Sequence, residues 1–231
     1  MVALSTAFCP PVEYFAVLAG YSTVFLDSSE NYNKQSWRNR CRILSEAGPL
    51  DLIVPVVHGG SRLITDIEVE YTTPWIPKME RAIASAYDSS PFFEFYRDGL
   101  FGILESRPAT LWELDRQIID WLCGKIGIQS AEGFAFERRA TLGNVSGGDP
   151  SKMGGMSSGA ANRIEGNPAA DEPVLDLRDA IHPKRSNTIL KDMGLERPYW
   201  QVFRERFGFV GGLSVLDLLF NEGPDSILYL K

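Results

Sequence analysis

Three apolar stripes at helical spacing between residues 73 and 126 constrain the fold more than any other feature of this chain. Thr73, with Pro74 in the first turn, is a suitable N-cap for the first helix, and Ser90-Pro91 begins the second. Thr110 and Glu113 form the capping-box pattern of the third. The residues predicted to face inward are Ile76, Met79, Ile83 and Tyr87, then Phe92, Phe95, Leu100 and Ile103, then Leu111, Leu114, Ile118 and Leu122. The pattern predicts a block of three helices.

Shorter apolar segments on the N-terminal side of this block predict strands. A first strand, a break at Pro10-Pro11 and a helix are expected before the buried strand Val24–Asp27. Residues 40–57 predict a β-hairpin, because apolar residues alternate on both sides of the turn Ala47-Gly48-Pro49. The clean alternation over residues 66–71 predicts a further, half-exposed strand.

Together these elements predict an α+β fold in which a mixed β-sheet is covered by the block of helices. With 231 residues and 44% hydrophobic content, the chain is large enough to bury one substantial core. Residues 141–173 are rich in Gly, Ser and Pro, and their few large apolar side chains cannot offset the entropy lost on ordering. The predicted organisation is one domain, residues 1–140 and 174–231, interrupted by a Gly-rich mobile insertion at 141–173.

The charge balance limits the classes of partner. A net charge of −7 and a pI near 5.0 argue against a nucleic-acid or anionic-membrane partner, because both require a basic face. No apolar run approaches the roughly 20 residues of a membrane span, and the start lacks a secretory signal pattern. The three cysteines lack zinc-ligand spacing, and the two histidines lack clustered carboxylates. We therefore expect a cytoplasmic protein without a metal or other cofactor.

The densest polar and aromatic stretch spans residues 32–40. Arg38 and Arg40 offer planar forks that bind phosphate or carboxylate in bidentate fashion, and the neighbouring amides can bind hydroxyl groups. The predicted ligand-binding residues are Tyr32, Gln35, Trp37, Arg38, Asn39 and Arg40. The alternative is structural, with the arginines paired to Asp27, Glu68 or other acids along a sheet edge.

Four other polar residues have both a structural and a functional interpretation. Asp217 and Asn221 lie four residues apart in an apolar predicted helix, where they share one face. A buried carboxylate needs partners, so this pair is either a structural contact or a wall of a site. His58 and His182 lie on predicted loops, and each is either a general base or simply exposed.

Several ordered segments resemble the WbqC-like protein family. They are residues 4–15, 35–43, 73–75, 86–93, 199–203, 207–209 and 213–224. The resemblance covers both ends and the middle of the chain and leaves out the Gly-rich insertion. It implies a cytoplasmic bacterial protein linked to surface-polysaccharide gene clusters, with a transferase role on nucleotide-linked amino sugars.

The resemblance also implies which residues form the site. It carries over Gln35, Arg38, Asn39, Arg40, Gln201, Asp217 and Asn221. This chain departs from many relatives at two places: Ser5-Thr6 stand where those relatives have Gln-Pro, and no histidine lies near Met79. Any chemistry that depends on those groups in the relatives is altered or lost here.

Two hypotheses about function follow. The first is a transferase-type or ligand-binding protein in surface-polysaccharide or nucleotide-sugar metabolism, whose partner is a small molecule such as a nucleotide-sugar. In it, Arg38 and Arg40 hold a phosphate, and His58 or Asp217 takes the catalytic role. The alternative is a non-catalytic binding or assembly protein, in which the arginines are structural and exposed aromatic residues form a partner or homo-oligomer face.

Overall fold

The computed structural model describes residues 1–57, 59–128, 132–134 and 174–231, with only the backbone of 132–134. His58 and the insertion predicted at 141–173 lie outside the described residues. The strands are β1 (Val2–Leu4), β2 (Val24–Asp27), β3 (Arg40–Ser45), β4 (Gly48–Ile53), β5 (Glu132–Phe134) and β6 (Leu175–Asp176). The helices are α1 (Val12–Gly20), α2 (Trp75–Tyr87), α3 (Phe93–Glu105), α4 (Leu111–Ile126), α5 (Ile189–Asp192), α6 (Arg204–Phe207) and α7 (Val215–Glu222).

Four strands form a parallel sheet in the order β5-β2-β1-β6. Helix α1 is the crossover that the parallel neighbours β1 and β2 require. Every residue of β1 and β2 is buried, as expected for short apolar runs inside a parallel sheet. Strand β2 and then β5 lie on one side of β1 in the sheet, whereas the later strand β6 pairs with the other side of β1. The strand order therefore reverses between β1 and β6.

Strands β3 and β4 form a separate antiparallel hairpin, with Cys41 opposite Leu52 and Ser45 opposite Gly48. Gly48 has a φ of 109°, which residues with a Cβ rarely adopt, so the turn favours glycine there. The predicted hairpin and the predicted α+β fold are confirmed. The parallel and the antiparallel strands, however, belong to two sheets.

The prediction of a β-strand at residues 66–71 is wrong. Ile67 and Val69 are buried, as the alternation predicted. The segment nevertheless makes only single bridges, one from Val69 to Val56 and one from Glu68 to Thr110. It lies between two different backbone partners instead of along one, so no continuous ladder forms.

The three predicted helices are confirmed, but α2 and α3 begin later than predicted: their N-caps are Pro74 and Phe92, without the expected side-chain cap from Thr73 or Ser90. Thr110 Oγ1 accepts the Glu113 N–H at 3.2 Å, and the Glu113 carboxylate accepts the Thr110 N–H at 3.3 Å, which completes the capping box of α4. The stripes predicted for α2 and α4 are buried. In α3 the predicted stripe is partly wrong: Phe95 is 77% exposed and Phe93 is buried. The Phe93 ring meets Phe220 edge-on at 5.2 Å, and this contact turns the neighbouring face of α3 inward.

The C-terminal segment packs α7 against the N-terminal half of the chain. The Ser214 hydroxyl accepts the Leu216 N–H at 3.2 Å and so caps α7. The Ser214 N–H donates to the Arg42 carbonyl at 2.7 Å, and the Val12 N–H donates to the Leu213 carbonyl at 3.0 Å. In the part of the chain that the structure describes, no helix is long and apolar enough to cross a membrane.

Two glycines of α3 test the packing of α3 on α4. A Cβ at Gly102 would meet no atom within 4 Å, whereas one at Gly99 would lie 2.6 Å from Trp121 Nε1. We expect Gly102→Ala to raise the free energy of unfolding by about 0.5–1 kcal/mol, because alanine favours the helix. Gly99→Ala should lower it, because the rigid indole must move. Urea unfolding of both variants measures the difference; equal effects would contradict this packing.

Candidate functional site

A pocket lies at the carboxyl ends of β1 and β6, where the strand order reverses. Its lining residues are Leu4, Ser5, Thr6, Ala7, Tyr14, Ser36, Trp37, Arg38, Leu177, Arg178, Ile181 and His182. In open parallel sheets, ligands bind outside the carboxyl ends of the strands at the point where the order reverses. This pocket, called the switch-point pocket below, is therefore the candidate site.

Arg38 and Glu30 form a buried ion pair beside the end of β1. The Arg38 Nη2 donates to the Glu30 carboxylate and, at 2.7 Å, to Ser5 Oγ. Glu30 also accepts the Thr6 N–H at 3.0 Å and the Ser5 hydroxyl at 2.7 Å. Burial raises the pKa of Glu30, although Arg38 and these hydrogen bonds oppose the shift. Within the described residues the Arg38 Nε has no hydrogen-bond partner, so this group retains a donor.

A second carboxyl group, Asp115 of α4, lies behind the end of β1. It is fully buried, and its Oδ2 accepts the Thr6 hydroxyl at 3.0 Å. Its Oδ1 has no partner among the described residues. Burial raises the pKa of Asp115 well above its usual range, and the negative charge of Glu30 adds to the shift. Burial and the neighbouring carboxylate thus favour a protonated Asp115.

Arg178 connects the ends of the strands on either side of β1. It donates to Asp27 Oδ2 of β2 at 2.6 Å and to Asp176 of β6 at 2.9 and 2.5 Å. Its hydrogen bonds to Asp176 and Asp27 raise the pKa of Arg178 above its usual value. The pairing holds the two strand ends together at the edge where the pocket lies.

The polar-aromatic stretch is divided between the pocket and the hairpin. Ser36 Oγ accepts the Arg38 N–H at 3.4 Å and begins a 3₁₀ helix, Trp37–Asn39, whose first two residues line the pocket. Asn39 instead donates to the Val54 carbonyl at 2.8 Å, and Arg40 Nη1 lies 3.9 Å from Asp51 Oδ2. These last two residues contact the hairpin.

The remaining residues of that stretch lie nearer the surface. Gln35 is exposed, and its Oε1 accepts a hydrogen bond from the Lys184 ammonium group. Tyr32 is partly buried; burial raises the pKa of its phenol, while Arg40 and Arg38 oppose the shift. Gln35 thus directly precedes the lining residue Ser36 without lining the pocket itself, and Tyr32 lies within electrostatic reach of both arginines.

The structure brings Gln201, Asp217 and Asn221 together in a separate buried network. Asp217 Oδ2 accepts the Tyr199 hydroxyl at 2.7 Å and the Gln201 Nε2–H at 2.8 Å. Gln201 also exchanges two hydrogen bonds with the Val210 backbone at 2.9 Å, and Asn221 Nδ2 donates to the Asp217 carbonyl at 2.7 Å. Burial raises the pKa of Asp217. None of these residues lines the switch-point pocket.

His182 follows β6 and lies on the wall of the pocket. Its Nδ1 accepts the Lys184 N–H at 3.2 Å, which leaves Nε2 to carry the proton of the neutral ring. Partial burial lowers its pKa, and Arg185, Lys184 and Arg38 lower it further against the opposing charge of Asp179. The ring is therefore a neutral N–H donor near neutral pH.

The chain matches the WbqC-like protein family over residues 6–229. It belongs to that family. A similar relative is the Uncharacterized protein Rv1507c of Mycobacterium tuberculosis (strain ATCC 25618 / H37Rv), which is 27% identical over 228 residues, 94% of this chain and 91% of the relative. No solved structure matches the chain. The resemblance noted in the sequence is confirmed.

Sequence reasoning on this WbqC-like protein did not find five residues of the pocket region: Ser5 and Thr6 as contacts, Glu30, Asp115 and Arg178. The one available signal was the departure at Ser5-Thr6 from the Gln-Pro of many relatives. Glu30 and Asp115 carry no local pattern, because their partners lie far away in sequence. A carboxylate at the end of the buried strand β2, Asp27, was visible, but its partner Arg178 was not.

The Arg38–Glu30 pair predicts a specific pattern of stability. Arg38→Met should lower the free energy of unfolding by about 3–5 kcal/mol, because it leaves Glu30 buried without its counter-ion. The double variant Arg38→Met/Glu30→Gln should recover much of that loss. Arg97→Met, at an exposed pair, should change stability by less than about 0.5 kcal/mol. Chemical denaturation measures all three; a double variant less stable than Arg38→Met would contradict the pairing.

Asp115 predicts a pH dependence with a definite sign. Its raised pKa means that its contribution to stability is fully present below the unfolded pKa of about 3.9 and is lost as pH rises through the folded pKa. As pH rises above about 4, the wild-type free energy of unfolding should therefore fall more than that of Asp115→Asn. Asp120→Asn, on the exposed face of the same helix, is the control. Parallel wild-type and Asp115→Asn curves would show that Asp115 is not shifted.

Proposed function

We propose that this WbqC-like protein binds a nucleotide-linked sugar in the switch-point pocket and acts as a transferase in surface-polysaccharide or nucleotide-sugar metabolism. The observation that carries the proposal is the position of the pocket, at the carboxyl edge of a parallel sheet where the strand order reverses. That position collects side chains from three separate segments: the end of β1, the 3₁₀ helix Trp37–Asn39, and the segment after β6.

The chemistry of the lining supports a sugar-bearing ligand. Ser5 and Ser36 contribute hydroxyl oxygens as acceptors, since their protons are donated within the protein; Arg38 has a buried Nε donor without a described partner, and His182 supplies an N–H. Trp37 contributes an indole whose Nε1 has no partner among the described residues. Hydroxyl-bearing ligands need such convergent donors and acceptors beside an apolar or aromatic surface. Glu30 is the carboxylate next to these donors and is our choice for accepting a proton from the nucleophile of the acceptor substrate.

The other predicted site residues take supporting roles in this proposal. Asn39 and Arg40 connect the 3₁₀ helix to the hairpin, and the Asp217 network fixes the C-terminal segment. Glu30 replaces Asp217 here as the proposed proton acceptor, because Glu30 bonds the lining residues Ser5 and Arg38, whereas the side chain of Asp217 bonds Tyr199 and Gln201, which do not line the pocket.

A second candidate is a non-catalytic binding or assembly protein with a structural arginine network. It is favoured by the pairing of both pocket arginines, Arg38 with Glu30 and Arg178 with Asp27 and Asp176. Under this alternative the pairs hold the strand ends, and no nucleotide-sugar binds.

A substitution that fills the pocket separates the two candidates. A nucleotide-sugar at 100 times its dissociation constant should stabilise the wild type by about 2.7 kcal/mol in thermal denaturation. Leu177→Trp places a large side chain in the lining and should weaken binding at least about tenfold in calorimetric titration. Leu228→Trp changes an exposed residue that does not line the pocket, so this variant should bind the ligand as the wild type does.

Two results count against the proposal. If no nucleotide-sugar or free nucleotide shifts the melting temperature of the wild type, the assembly alternative is favoured. If a ligand binds but a folded Leu177→Trp binds it with unchanged affinity, the ligand occupies another place.

A further inference from the structure

We infer that His182, Lys184 and Arg185, called the basic rim below, form the phosphate-binding end of the switch-point pocket. The rim would take the diphosphate of the ligand, and the interior beside Arg38 would take its uncharged, hydroxyl-bearing part. This assignment rests on the proposed function, because it divides one ligand between two parts of the same pocket.

The first argument is the charge of the interior. Arg38 is paired with Glu30, and Arg178 is paired with Asp27 and Asp176. The charges of both arginines are therefore already paired within the protein, and a diphosphate placed beside them would have to compete with these carboxylates. An uncharged group with hydroxyls suits these surroundings better than a diphosphate does.

The second argument is the excess of positive charge around His182. Lys184 and Arg185 are exposed, and within the described ranges neither forms an ion pair with a carboxylate. His182 experiences the positive charges of Arg185, Lys184 and Arg38, against one opposing carboxylate, Asp179. Among the described residues, positive charge therefore exceeds negative charge around His182, although the whole chain has a net charge of −7.

The third argument is geometric. The Lys184 N–H donates to His182 Nδ1 at 3.2 Å. The protonated Nε2 lies on the other side of the ring and so faces away from the Lys184 backbone. The Lys184 side chain bonds Gln35, which immediately precedes the pocket residues Ser36 and Trp37. The rim is thus connected through Gln35 to the segment that contributes Ser36, Trp37 and Arg38 to the pocket. Lysine supplies a point charge to a phosphate, and arginine supplies a planar fork.

The test measures the pKa of His182 by NMR on protein with 15N-labelled histidine. The chain has two histidines, so a His58→Asn variant assigns the signals. Inorganic pyrophosphate should raise the pKa of His182, because a bound anion favours the imidazolium, and an uncharged monosaccharide should leave it unchanged. The double variant Lys184→Gln/Arg185→Gln should weaken pyrophosphate binding at least about tenfold.

A matched control removes the same amount of charge elsewhere. Lys125→Gln/Arg97→Gln alters two exposed cations on α4 and α3 and should leave pyrophosphate affinity within about twofold of wild type.

Equal weakening by the two double variants would overturn the assignment, as would an unchanged His182 pKa at saturating pyrophosphate. A nucleotide-sugar that binds without moving the His182 pKa would leave the proposed function standing and reject the rim. A pyrophosphate-dependent shift without binding of any nucleotide-sugar would support the rim and reject the proposed function.

Discussion

The buried ion pair between Arg38 and Glu30 is the interaction on which the rest of the site depends. It joins the loop after β2 to the 3₁₀ helix that precedes the hairpin, and through Ser5 and Thr6 it joins both to the end of β1. A charge removed from water needs a counter-charge and hydrogen bonds for its remaining atoms. Glu30 has both, and these contacts hold the segments that supply them together around the strand end.

Local patterns predicted the elements whose partners are near in sequence. The α4 stripe and its capping box depend on residues three or four positions apart, and the hairpin depends on a short turn, so each could be recognised from the sequence. The α3 face was shifted because the contact of Phe93 with Phe220 orients it, and that contact joins residues far apart along the chain. Residues 66–71 have the right alternation for a strand, but their backbone groups bond two different segments, which alternation cannot distinguish from one continuous partner.

The sequence distance between partners also explains which residues of the site could be predicted. Trp37 and Arg38 could be predicted because their polar-aromatic neighbourhood is contiguous. Glu30 and Asp115 could not, since Thr6 brings them together across 24 and 109 residues of sequence. Arg178 lies 151 residues from Asp27, and only the position of β6 beside β1 makes them neighbours. Sheet topology therefore decided the composition of the pocket, and nothing in the local sequence specifies that topology.

The division of charge around the pocket has a consequence for how a ligand can be oriented. The pocket floor places carboxylates next to both arginines, so their positive charge is already used within the protein. A ligand with one anionic and one neutral end gains most when its anion stays at the basic rim and its neutral end enters. The reverse orientation would place the anion beside arginines that are already paired and leave the cations of the rim without the anion. Electrostatic complementarity of this kind selects an orientation more than it adds affinity, because the rim is solvated and its charges are screened. The hydrogen-bonding groups of the interior would then determine which sugar is accepted.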